Sequence, residues 1–295
     1  MATTTALLIC ANCGKGEDGT HSLKVCTACM MVKYCNRECQ IAHRPHHKKA
    51  CKKRAAELHD EMLFKEVEPE ECPICLLPQS GESRAKFFQS CCGKCICNGC
   101  MYAMETSGGK DLCPFCRAPP ASSYEESINQ IKNLMEKGNA YAFDFLAGLY
   151  DDGDYGLPQN KQKACELWLK AGELGCSDAY FSLSYSYHSE TGLDSVMNQK
   201  AKHFCELAAM SGNVVARHNL AVDEWNAGNY HRAKKLYLVA AKAGYTDSLD
   251  VVKGGFIDGI ITKDEYEKTL RAYHERRKEI ESDERDKAAA CIGGM

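Results

Sequence analysis

The cysteines constrain this chain more tightly than any other feature. Of its 295 residues 20 are cysteine, and 16 of those fall before residue 117. No charged leader precedes the short apolar patch Ala6 to Cys10, so a secretory signal is not expected. No apolar run approaches the roughly 20 residues that span a bilayer. The expected compartment is intracellular and reducing, cytoplasmic or nuclear, where dense cysteines serve as metal ligands rather than disulfides. The other four, Cys165, Cys176, Cys205 and Cys291, are scattered and read as buried, inert thiols.

The first run is Cys10-x2-Cys13-x12-Cys26-x2-Cys29-x5-Cys35-x3-Cys39-x7-His47-x3-Cys51. Each C-x2-C lets a tight turn aim two thiolates at one tetrahedral ion. Cys35 and Cys39, like His47 and Cys51, are four apart, which puts each pair on one face of a helical turn. Eight donors make two four-coordinate sites without an open position, and closed sites are structural. The string Tyr34-Cys35-Asn36-Arg37-Glu38-Cys39-Gln40 and the spacing from Cys26 onward resemble the MYND finger. The loop between Cys13 and Cys26 is longer than is usual there. The resemblance implies interleaved ligation, with Cys10, Cys13, Cys35 and Cys39 on one ion and Cys26, Cys29, His47 and Cys51 on the other. It also implies contact with proteins, often proline-rich peptides. His43 and His46 compete with His47, but only His47 keeps the four-residue step to Cys51.

The second run is Cys72-x2-Cys75, Cys91-Cys92-Gly-Lys-Cys95-Ile-Cys97-x2-Cys100 and Cys113-x2-Cys116. The three C-x2-C pairs resemble the first, third and fourth ligand pairs of a RING finger, a cross-braced two-zinc fold. Lysine in Cys92-Gly93-Lys94 is a poor ligand beside thiolates, so the resemblance moves to all-cysteine RING variants with Cys91 and Cys92 as the second pair. Cys95 is left over and rivals Cys91. Beside Lys94 it is also placed for a lowered pKa, which makes redox sensing a third class of function. In active RING ligases an apolar residue, a proline and a cation engage a ubiquitin-conjugating enzyme, and Ile74, Pro114 and Arg117 stand at those places.

After Arg117 a Pro-Pro-Ala-Ser-Ser linker leads into helical sequence, with Ser122 or Ser123 as a cap. Gly138, Gly175 and Gly212 are 37 residues apart, as are Ala142, Ala179 and Ala216, and Leu146, Leu183 and Leu220. Ala164 to Ala201 is again 37, whereas Ala201 to Ala233 is 32, so the third unit has a shorter internal loop. A fixed period in the thirties with paired apolar-alanine helices is the signature of a helical solenoid. The A-x3-L-x3-Y pattern at Ala142, Leu146 and Tyr150 and at Ala179, Leu183 and Tyr187 resembles the Sel-one-like repeats, relatives of tetratricopeptide repeats. So does the loop Gly153 to Pro158 followed by Lys163-Ala164-x3-Trp168. Glu224 stands where the third tyrosine belongs.

The expected fold class is therefore small zinc-stapled modules, MYND and RING-like, followed by an all-α helical-repeat solenoid. The expected domains are 10–51 (MYND-type finger), 52–71 (charged linker), 72–117 (RING-type finger), 123–260 (repeats) and 261–295 (capping helix and tail). Four zinc ions are expected, two per finger module. A net charge of -3 gives no global reason to expect nucleic acid, and the basic stretch Arg44 to Arg54 reads as a solvated helix face. Nothing after residue 117 supports a methyltransferase or a hydrolase, and there is no G-x-S-x-G. The reading is a zinc-binding adaptor with protein partners and no catalytic residue of its own. Its alternative is a RING-type ubiquitin ligase.

Overall fold

The computed structural model describes residues 9–17, 22–79, 86–107, 112–189 and 195–292. The chain divides into two compact units, residues 1–65 and 66–295. In the first, strands β1 (Lys24–Val25) and β2 (Lys33–Tyr34) pair antiparallel, with Lys24 opposite Tyr34. Helix α1 (Arg37–Leu63) follows. Asn36 starts it, because its side chain accepts the Cys39 amide at 2.9 Å and satisfies one of the donors a helix start leaves open. The helix passes Cys51 without a break, since no glycine or proline interrupts residues 52–63, so that more than half of the charged segment 52–71 is helix. Along it Arg54 pairs with Glu57 and Glu61, and Lys53 with Glu57. The core of this unit is Cys10, Leu23, Cys26, Cys29 and Tyr34, so cysteines fill most of it.

The second unit begins with an acidic strap that lies against the repeats. Glu66 reaches Lys242 at 3.5 Å, Glu68 reaches Arg276 at 3.3 Å, and the Tyr141 hydroxyl donates to Glu70. Strands β3 (Lys86–Phe88) and β4 (Cys95–Cys97) then form an antiparallel hairpin, Phe88 opposite Cys95, and α2 (Asn98–Thr106) continues from it. The Phe88 ring stacks on Phe145 with centroids 5.1 Å apart, which seats the hairpin on the repeats.

The repeats comprise α3 (Tyr124–Glu136), α4 (Ala140–Asp152), α5 (Lys161–Glu173), α6 (Ser177–Ser189), α7 (Ser195–Met210), α8 (Val214–Asn226), α9 (Tyr230–Lys242), α10 (Thr246–Ile257) and α11 (Lys263–Ile280). Helix α4 packs on α5, α6 on α7 and α8 on α9. The small residues of the period sit where helices meet. Ala142, Ala179 and Ala216 are fully buried, and Leu146, Leu183 and Leu220 nearly so. Gly138, Gly175 and Gly212 take φ of 75°, 102° and 102°, the left-handed conformation that ends a helix and that glycine adopts without penalty. Asn139 and Asn213 then cap the next helices, accepting the Ala142 and Ala216 amides at 3.0 and 2.8 Å.

Glu224, the departure from the tyrosine pattern, is buried. Burial alone would raise its carboxyl, but Lys202 at 2.8 Å, Asn229 and Arg232 hold it below the ordinary value. Leu220→Ala should lower the stability of the repeats by about 2–5 kcal/mol, because the site is closed on all sides and cannot collapse. Urea melts followed by helical circular dichroism read this directly, and a loss below about 1 kcal/mol would contradict the packing. Within 261–295 the single helix expected over Asp264 to Ala290 is two, because α11 ends at Ile280; Thr262 and Glu265 start α11 with a reciprocal cap. A final helix, α12 (Asp283–Ile292), turns back and packs on α2.

Candidate metal centres

One turn recurs through both cysteine runs. In four of the five C-x2-C pairs the first cysteine's carbonyl accepts the amide of the residue after the second, whereas Cys97-x2-Cys100 opens helix α2 with Cys97 as its cap. The four bonds are Gly14 to Cys10 at 2.9 Å, Met30 to Cys26 at 2.9 Å, Leu76 to Cys72 at 2.8 Å and Arg117 to Cys113 at 3.0 Å. The donor in each has a positive φ of 72°, 54°, 59° and 60°. That conformation costs a residue other than glycine about 1–2 kcal/mol, and it persists where the surroundings over-determine it. Here both sulfurs of a turn must face one point.

Each turn also aims amides at its first sulfur. Burial alone would raise the Cys10 thiol, but amides of Cys13, Cys35 and Asn12 bring it down to about 6. Cys26 is likewise brought to about 6 by His47 and its turn amides, and Cys72 and Cys113 to about 7. These turns favour thiolate, the form that binds metal.

Folding gathers the donors into four groups. They are Cys10, Cys13, Cys35 and Cys39; Cys26, Cys29, His47 and Cys51; Cys72, Cys75, Cys97 and Cys100; and Cys91, Cys92, Cys113 and Cys116. The donor atoms of each group lie within 4.8 Å of one another. A tetrahedral zinc with bonds of about 2.3 Å sets sulfurs about 3.8 Å apart. The Cys26–Cys51, Cys72–Cys100 and Cys75–Cys97 separations are each 3.8 Å, and Cys13–Cys35 is 3.7 Å. A donor set of thiols and one imidazole, without carboxylates, fits zinc. Among the three histidines, His47 turns Nε2 to within 3.2 Å of Cys29, whereas the His43 Nδ1 is bonded to the Tyr34 hydroxyl at 3.0 Å. The His43 ring stacks on His47 at 5.6 Å and so supports it from behind.

The Cys91–Cys92 pair has a local explanation. Gly93 donates to the Gln89 carbonyl at 2.7 Å with φ of 72°, the same bond and conformation as in the C-x2-C turns. Gln89-x2-Cys92-Gly93 is thus a fifth such turn with glutamine in the first cysteine's place. Cys91, inside the turn, joins the group instead. Cys95 joins none of the groups found among the described residues. Burial drives its thiol up to about 12, which opposes the lowered pKa expected from Lys94. Ile74 lies inside the first turn of this run and is 40% exposed; Pro114 is half-buried in the last turn, and Arg117 is exposed at its left-handed position. His218 is bonded to Ser248 at 2.9 Å between the Tyr237 and Tyr245 rings, a packing role.

One constellation left no trace in the sequence. Lys86 on β3 reaches Asp178 on α6 at 3.1 Å, and Asp178 also accepts from Asn213 at 2.9 Å. Asp144 lies in the same cluster, its carboxyl raised to about 7 by burial and then by Asp178.

Residues 10–51 match the family model of the MYND finger. No curated protein matches the chain. Among solved structures, a Sel1 repeat protein from Oxalobacter formigenes is 19% identical with a TM-score of 0.44, over 60% of this chain and 70% of that one. A protective antigen of uropathogenic Escherichia coli with an SLR fold is 18% identical with a TM-score of 0.40, over 65% of this chain and 42% of that one. An immunity protein of Pseudomonas aeruginosa is 18% identical with a TM-score of 0.35, over 59% of this chain and 63% of that one. No helix of the described residues is long and apolar enough to cross a membrane.

Proposed function

We propose that this chain is an intracellular zinc-stapled adaptor. A MYND finger at 10–51 and a RING-type finger at 72–117 recruit proteins, and the helical repeats at 123–260, closed by 261–295, carry them. The observation that supports this most is that each group holds four protein donors. Zinc bound so has no open position, and it builds shape without doing chemistry. In this reading the sixteen grouped residues, from Cys10 to Cys116, are the ligands of four ions. Proline-rich peptides are the expected ligand of the MYND finger. An array of such peptides probed with zinc-loaded full-length protein should retain some of them, and the binding should vanish with chelator. A blank array would remove this ligand class.

Exposure of Ile74 favours a second reading, in which Ile74, Pro114 and Arg117 seat a ubiquitin-conjugating enzyme. Autoubiquitylation across a panel of conjugating enzymes tests it. Chains should form with the unaltered protein and fall at least tenfold with Ile74→Ala or Arg117→Ala. Absence of chains with every enzyme would leave the adaptor alone.

A further inference from the structure

A buried guanidinium faces the Cys72, Cys75, Cys97 and Cys100 group from the far end of the sequence. Arg285, on α12, is only 9% exposed. Its Nη1 donates to the carbonyls of Pro78 and Ile280, each at 2.7 Å. Its Nη2 donates to the Leu77 carbonyl at 3.3 Å and to the Cys75 sulfur at 3.5 Å. Its Nε is buried without a hydrogen-bond partner, and among the described residues no carboxylate pairs with it. Burying a cation is costly unless an anion compensates it. Carbonyl dipoles supply part of that compensation, and the remaining partners are the sulfurs of Cys75 and Cys97.

Four thiolates around a divalent ion carry two net negative charges. Such a centre in a protein interior needs donors and cations around it. Arginine is the suitable cation, being weakly hydrated, always charged and able to donate in several directions at once. The approach is close. Gly99, between the donors Cys97 and Cys100, has room for no side chain, because a Cβ there would lie 2.8 Å from the Arg285 amide nitrogen and 3.0 Å from its Cα. One turn further along α12, Ala288 is buried as well.

We propose that Arg285 is the outer-sphere counterion of the Cys72/Cys75/Cys97/Cys100 metal site, so that metal retention there and seating of α12 stabilise each other. The proposal rests on the reading of this group as a zinc site. Linkage makes the effect reciprocal: whatever α12 adds to metal affinity, the metal adds to the seating of α12. The terminal helix thereby reports whether the finger is loaded, and a protein that captured α12 would weaken zinc binding.

The test uses zinc-loaded full-length protein, a coloured chelator to time zinc release, and amide exchange to follow residues 283–292. Arg285→Met keeps the aliphatic stem and removes the charge. It should speed the release of one ion about tenfold or more, the usual size of an outer-shell effect, while the others leave at their normal rate. Arg285→Lys should fall between the two. Ala288→Asp, which unseats α12 with Arg285 intact, should speed the same ion. Chelation of the unaltered protein should in turn raise exchange in 283–292. Unchanged release in Arg285→Met, with the other ions and the circular dichroism normal, would overturn the proposal and leave α12 a packing element. Cys72→Ser separates the two readings: if it leaves the zinc content of the protein unchanged, the site itself is refuted and the counterion with it.

Discussion

Elemental analysis of the purified chain should return four zinc ions per molecule, one for each donor group, and chelation should unfold residues 10–51 while the repeats keep their helices. The asymmetry follows from what fills each core. Among the described residues, three of the five buried members of the first unit's core cluster are cysteines, and Leu23 and Tyr34 are its buried apolar side chains. So small a core cannot offset the conformational entropy of ordering its chain. Structural zinc contributes roughly 10–16 kcal/mol of apparent free energy in finger peptides, far more than such a core supplies. The left-handed Met30, Leu76 and Arg117 add to the dependence, since each turn is held in a strained conformation that bound metal would fix. The repeats differ, with Ile131, Leu146, Leu167, Trp168 and Leu183 among their buried residues. Chelation should therefore abolish protease resistance in the amino-terminal segment and leave most of the helical dichroism. Cys26→Ser should reproduce part of this by disabling one site, and its zinc content should fall by at least one. Intact protease resistance of residues 10–51 after complete zinc removal would contradict the scheme, and two ions instead of four would remove the second module.

The features legible in the sequence are those written locally. Alanine and glycine at a fixed interval mark close helix contacts and left-handed caps, because no other residues serve there as well, and those positions are buried or left-handed as the pattern implies. The grouping of Cys10 with Cys35 and of Cys26 with His47 came through resemblance to a family, not from spacing alone. Gly93 after Cys92 carried a usable signal, since it repeats Gly14 after Cys13 and marks the same turn. Nothing local marked the end of α1: ligands stop at Cys51, but a helix stops only where its backbone bonds or side chains fail, and here that is Leu63. Arg285 and Lys86 were not legible at all. The partners that define their roles, Asp178 for Lys86 and Cys75 for Arg285, lie 92 and 210 residues away in sequence, and a lone charge in a strand or helix looks the same whether it ends in water or against a buried group.

Lys86→Met should destabilise the second unit by about 2–4 kcal/mol at pH 8, and by clearly less at pH 6. Lys86 is the cation of a mostly buried cluster, its side chain 17% exposed and that of Asp178 15%. Burial would lower its ammonium, but Asp178 and then Glu70 raise it above its ordinary value. Removing one partner of such a pair leaves the other as an uncompensated charge, the costly case for buried ion pairs, here moderated by residual solvent. The pH dependence comes from Asp144, which faces Lys86, Asp178 and the thiol of Cys176 and receives a hydrogen bond from Trp168. Its carboxyl is raised to about 7, so the folded protein holds that proton more tightly than the unfolded chain does. The resulting stability is fully present below the ordinary carboxylate range and is lost as pH rises through about 7. Without Lys86 the carboxylate of Asp144 loses its one attractive charge, its proton is held still more tightly, and the loss extends to higher pH. Asp144→Asn should accordingly flatten the stability profile between pH 5 and pH 8, and the Lys86→Met, Asp144→Asn pair should recover part of the deficit at pH 8. Urea midpoints of the four proteins at pH 6 and pH 8 measure all of this. A Lys86→Met deficit equal at both pH values would mean that Asp144 is not coupled to Lys86 and that the hairpin is held by Phe88 and Phe145 instead.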